Sequence, residues 1–139
     1  MAALKKKLYL GVEGGGTKST AMLVDEQNHI IVQKEGEDLN YHGEEEKTVR
    51  RDLSKLLAPL LRKSKNGKLY AVFGLAGLDT KKDETFYRKL VKSVLPPKSI
   101  FDVVNDTKTA LEACCPNERK RILVISGTGS NVYGENGTK

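Results

Sequence analysis

An α/β domain with a mixed sheet and helices on both faces is the fold this sequence predicts. Three short β-rich segments come first, parted only by a glycine loop and a polar turn, so they pair as hairpins. Helical and β-rich segments then alternate, and such crossovers return the chain for parallel pairing. The order is βββαβαβα over residues 1–119. The opening pattern then recurs: residues 120–139 again read as strand, glycine loop, strand. They are expected to be the first hairpin of a second such domain, left truncated.

The elements follow in order. The first three strands are 7–13 (KLYLGVE), 19–25 (STAMLVD) and 29–35 (HIIVQKE), with Glu26, Gln27 and Asn28 as the turn between the last two. A helix is expected over 44–63, because Val49, Leu53, Leu56, Leu57, Leu60 and Leu61 recur at helical spacing. Pro59 should bend or break it. A fourth strand, KLYAVFGLA, leads to a second helix opened by a Thr80/Asp83 capping box and stopped by Pro96 and Pro97. Its buried face should be Phe86, Leu90, Val91, Val94 and Leu95. The fifth strand, SIFDVVN, ends at Asp106, and TKTALEACC starts a third helix. The closing hairpin carries an Asn-Gly turn at Asn136 and Gly137.

Composition removes several function classes. Hydrophobic residues at 38% with 30% charged describe a globular chain rather than a disordered one. No apolar run reaches membrane-spanning length, and MAALKKKLYL does not read as a signal peptide, so a cytoplasmic location is expected. Cys114 and Cys115 are neighbours and the only cysteines, which suits two free thiols in a reduced compartment better than a disulfide or a metal site. The net charge of +6 is concentrated at Lys5–Lys7 and in RKSKNGK. Aromatics are sparse among these cations, so a solvated basic surface is expected rather than a nucleic-acid interface.

The loop GVEGGGTKST carries the chemistry. Glycine lets main-chain N–H groups close on a phosphate because no Cβ stands in the way. A P-loop would need lysine where Thr17 stands, and the third glycine of a dinucleotide fingerprint would fall on Ser19. Both also require a helix next, whereas a strand follows. A phosphate-binding hairpin is the reading that fits, with an ordinary hairpin turn at Gly14–Gly16 as its rival. Asp106, at the carboxyl end of the fifth strand, faces the crevice where open α/β sheets bind ligands. It can serve there as a base, or it can cap the third helix.

Four motifs in this order, GVEGGGTKS, GLAGLD, ND before a helix and ISGTGSN, resemble the N-acetylglucosamine kinase and BadF/BadG/BcrA/BcrD-type ATPase family. That family lies within the sugar kinase/actin/heat-shock-ATPase superfamily. The resemblance implies a ribonuclease H-like, actin-like ATPase domain, with ATP and Mg²⁺ as cofactors and an amino sugar, N-acetylglucosamine first, as acceptor. It assigns Gly14, Gly15, Gly16 and Thr17 to the ATP phosphates, joined from the other side by Gly127 and the hydroxyl of Thr128. It assigns Glu13 to Mg²⁺ through water and Asp106 to the acceptor hydroxyl as general base. Asn40, with Gly129, Ser130 and Asn131, would line the sugar. Relatives often carry an aromatic residue where His42 stands. An ATPase that activates a partner enzyme and a non-catalytic nucleotide-binding fragment are the alternatives. An open strand edge in the last hairpin leaves room for a homodimer.

Overall fold

A computed structural model describes residues 5–127 and 130–137. The strands are β1 (Lys7–Gly14), β2 (Ser19–Val24), β3 (Ile30–Gly36), β4 (Lys68–Leu75), β5 (Ile100–Asn105), β6 (Arg121–Ser126) and β7 (Ser130–Glu135). The helices are α1 (Glu46–Ser64), α2 (Lys81–Val94) and α3 (Asp106–Cys114). Strands β1 to β5 form one sheet in the order β3-β2-β1-β4-β5, and β6 and β7 form a separate two-stranded sheet. Pairing of β1 with β2 and of β2 with β3 is antiparallel, whereas β4 joins β1 and β5 joins β4 in parallel. The mixed sheet follows from connection length: a short turn reverses the chain, and a helical crossover brings it back in the same direction.

Alternation decides what each face carries. On β1, Leu8, Leu10 and Val12 are buried while Tyr9, Gly11 and Glu13 point the other way. The buried side receives α1 through Val49, Leu53, Leu56, Leu57 and Leu60, and α2 through Tyr87, Leu90 and Val91. Cutting the fully buried Leu57 to alanine would cost about 2–5 kcal/mol, the usual loss for such a core truncation. Helix α3 lies across the opposite face, where Gly74 admits it. A Cβ at Gly74 would collide with the Thr109 side chain. The rest of that outer face is open and apolar, with Tyr9, Val72 and Ile100 at 39%, 45% and 50% exposure.

Several sequence expectations shift. Helix α1 begins at Glu46 rather than at residue 44 and continues through Pro59. The ring there removes the bond to Lys55, an exposed residue whose carbonyl water can serve. On α2 the Thr80/Asp83 capping box forms as expected. The centre of its buried face is Tyr87, which the sequence reading passed over, while Phe86 and Val94 are only partly buried. Helix α3 starts one residue early, so that Asp106 is its first residue and Asn105 caps it, accepting from the Thr107 N–H (2.9 Å).

Candidate functional site

The first glycine loop joins the carboxyl end of β1 to β2. Its glycines have different surroundings. Gly14 is buried, and a Cβ there would lie 2.8 Å from Leu75 Cδ2 and 3.2 Å from Leu39 Cβ, so its smallness serves the core. The Gly15 N–H closes the turn by donating to the Lys18 carbonyl (2.9 Å). Gly16 and Thr17 are exposed at the tip, and a side chain at Gly16 would meet only open space. These two leave the loop backbone open to solvent. The base of the loop is fixed by Ser19, whose buried hydroxyl donates to the Glu37 carbonyl (2.6 Å). At the flank, the Lys18 ammonium meets Glu35 at 2.9 Å, and that carboxylate raises the lysine pKa.

Glu13 precedes the loop on the outer face of β1, in register with Thr20 on β2 and Gly74 on β4. Since α3 crosses that same face, Glu13 and Asp106 come to line one groove of about 570 Å³, with Gly11, Thr20, Met22 and Thr109 among its walls. Sequence reading named the two carboxylates separately and missed Thr20 and Thr109. Antiparallel register opposite Glu13 is the signal that could have found Thr20. The Asp106 carboxylate accepts from the Thr107 N–H (2.8 Å) and is half-buried. Asn105 supplies the N-cap, which leaves Asp106 facing the groove without being the capping residue.

Asn40 lies outside this groove, on the neighbouring rim after β3. Its Oδ1 accepts from the His42 N–H (3.0 Å), and the His42 Nε2–H donates to the Gly77 carbonyl (3.0 Å). Gly77 has φ +79°, and a Cβ there would stand 2.7 Å from Asn40 Oδ1. The rim continues to the corner of β5 and α3, because Asn105 Nδ2 donates to the Leu78 carbonyl (3.2 Å) and to Asp79 Oδ1 (3.1 Å). The Asn40 loop is thus joined by hydrogen bonds, through Gly77 to Asp79, to the β5–α3 corner where Asp106 stands.

The second glycine hairpin is less complete. Gly127, Ser130 and Asn131 are exposed around the β6–β7 turn, while Thr128 and Gly129 lie outside the described residues. The hairpin is tied to α3 by Arg121, whose side chain is 9% exposed. Its guanidinium donates to Glu112, to Glu135 (2.7 Å) and to the Cys115 carbonyl (2.9 Å). Those two carboxylates raise the arginine pKa. Cys114 and Cys115 are both free, the first exposed and the second partly buried. No cluster of three metal-ligating side chains exists among the described residues, nor does any of their helices reach the length and apolarity of a membrane span.

Comparison with known proteins shows the family. The chain is 24% identical over 143 residues to N-acetyl-D-glucosamine kinase of Dictyostelium discoideum, covering 96% of this chain and 45% of that protein. It is 29% identical over 133 residues to N-acetylmuramic acid/N-acetylglucosamine kinase of Clostridium acetobutylicum, covering 94% and 43%. The chain therefore spans less than half the length of these curated relatives. Among solved structures, one described as a candidate N-acetylglucosamine kinase from Porphyromonas gingivalis superimposes with a TM-score of 0.77 at 21% identity, covering 94% of this chain and 45% of that one. At that identity the likeness carries the fold alone, and the fold is the expected actin-like one. The model of the BadF/BadG/BcrA/BcrD ATPase family matches residues 10–139, nearly the whole chain, so the chain belongs to the BadF/BadG/BcrA/BcrD ATPase family.

Proposed function

We propose that this chain carries the phosphate loop and the catalytic base of an ATP-dependent kinase for an amino sugar, N-acetylglucosamine first. The supporting observation is the shared groove: Glu13, at the head of the glycine loop, and Asp106, at the end of β5, face the same space. A kinase needs these two functions side by side. One group manages phosphate charge and the other takes a proton from the acceptor. The relatives' names point to the same substrates.

In this reading the backbone around Gly16 and Thr17 receives the ATP phosphates, and Gly127 and Thr128 close on them from the second hairpin. Asn40, with Gly129, Ser130 and Asn131, holds the sugar. Asp106 accepts the proton of the acceptor hydroxyl as its oxygen bonds to the γ-phosphorus and the bond to the ADP oxygen breaks. Such base catalysis is worth roughly 10²–10⁴-fold. An exposed carboxylate on a groove wall suits Mg²⁺, which keeps several waters and uses few protein ligands, so Glu13 would hold it. The ion would supply charge neutralisation on the phosphates.

The test uses the full-length protein containing this chain. Asp106→Asn should lower kcat for N-acetylglucosamine phosphorylation by about 10²–10⁴-fold, with ATP affinity within a few fold of wild type. A variant that retains most of its kcat would remove Asp106 from the base role. ATP hydrolysis that ignores every amino sugar would instead favour an ATPase acting on a partner enzyme.

A further inference from the structure

Asp83 sits in the first turn of α2 with its side chain only 4% exposed, and its carboxylate is filled from two directions. From its own helix start it accepts the Thr80 N–H (2.7 Å), the Thr80 hydroxyl (2.7 Å) and the Asp79 N–H (3.1 Å). From the loop after β3 the Tyr41 hydroxyl donates to Oδ1, and His42 Nε2 stands 3.6 Å from the same oxygen. A capping box accounts for the Thr80 contacts. It does not account for a tyrosine reaching across from a loop 42 residues earlier in the chain.

We propose that Asp83 is a positioning residue that latches the Asn40–His42 loop onto the start of α2 and so keeps Asn40 in register with Asp106. What the loop binds rests on the kinase reading above; the latch rests on geometry alone. The path of contacts is continuous. Tyr41 is held by Asp83, its neighbour His42 by Gly77, and Leu78 and Asp79 are held by Asn105, which caps the helix that Asp106 begins. The ring of Tyr41 lies stacked on Phe86 at 4.1 Å, so packing and hydrogen bonding fix it together. Every group around Asp83 is a donor, and a carboxylate is the side chain that only accepts. An amide in its place would turn an NH₂ toward one of those donors.

Tyr41→Phe in the full-length protein isolates the latch, because the ring and the capping box stay. It should raise KM for N-acetylglucosamine about tenfold or more, the usual scale for losing a bond to a charged group, while KM for ATP stays within twofold. Asp83→Asn should act in the same direction and more strongly. It should also lower the pH at which Tyr41 ionises in an ultraviolet titration, since the Asp83 carboxylate is what holds that phenol above its ordinary range. An unchanged sugar KM in Tyr41→Phe would overturn the positioning role. If the wild-type protein phosphorylates no amino sugar, the kinase reading fails, and the latch is then read by amide exchange on the 139-residue chain. Exchange at Tyr41 and His42 should quicken at least tenfold in Tyr41→Phe while Leu90 and Val91 in α2 keep their protection. Equal rates at Tyr41 and His42 would overturn the latch itself.

Discussion

Tyr87 shows how one polar atom can organise a loop. The residue is 1% exposed, yet its hydroxyl donates to the Leu39 carbonyl (2.9 Å) and accepts from the Tyr41 N–H (3.3 Å). Tyr87→Phe would leave the buried Leu39 carbonyl and the part-buried Tyr41 N–H without this partner and should cost about 1–3 kcal/mol in denaturant melts. Burial, the first cause, pushes the Tyr87 phenol up to about 12. Because the folded form keeps its proton longer than the unfolded form, this contribution is present below about pH 10 and is lost as pH rises through about 12. The melting temperature should therefore fall across that window, and less steeply in Tyr87→Phe. The sequence did not announce this residue, since its partners lie 46 and 48 positions away and the helical pattern marks only which side of α2 is apolar. Asp83 was legible as a cap because Thr80 stands three residues before it. Its link to Tyr41 was not, for the same reason of distance.

Helix α3 brings Asp106 to the groove, and it can do so only because β4 has a glycine beneath it. Gly74→Ala should push Thr109 outward, destabilise the fold and lower sugar phosphorylation in the full-length protein. Restoring room with Gly74→Ala/Thr109→Gly should recover part of the activity, whereas no recovery would mean that the helix is placed by other contacts. The hairpins, the alternation of helix and strand, and the Thr80/Asp83 cap were readable from period and turn chemistry, whereas the Asn105 cap of α3 was not. That Glu13 and Asp106 share a wall was not readable, because it depends on which face of the sheet α3 crosses. The far end of the same helix carries Cys114 in the open. Thiol titration of the denatured, unreduced chain should return two free thiols, and a count of zero would mean that the pair had oxidised.

Among the described residues the chain has a large five-stranded sheet and a small two-stranded one whose Ile122, Val124 and Val132 are 72%, 67% and 68% exposed. A lone hairpin is marginal in water, so we expect the larger sheet to hold most of the stability. Removing residues 120–139 should leave one cooperative unfolding transition, shifted by no more than a few degrees. We also expect the 139-residue chain to show no sugar-dependent ATP turnover in a coupled assay, since the relatives it matches are more than twice as long. Turnover at about 1–100 s⁻¹, the usual kinase range, would refute that. The sheet order β3-β2-β1-β4-β5 has a further consequence, which concerns time. On one side β1 pairs with β2 across a few residues, but on the other Lys7 must wait for Lys68. At about 5–20 residues per second during synthesis, Lys68 follows Lys7 by roughly 3–12 s, and once β3 is made the middle strand waits as the bare edge of a meander. An unpaired strand edge and exposed apolar surface invite association in a nascent chain, so we expect a chaperone that shields Leu8, Leu10 and Val12 during that interval to raise the yield of folded chain.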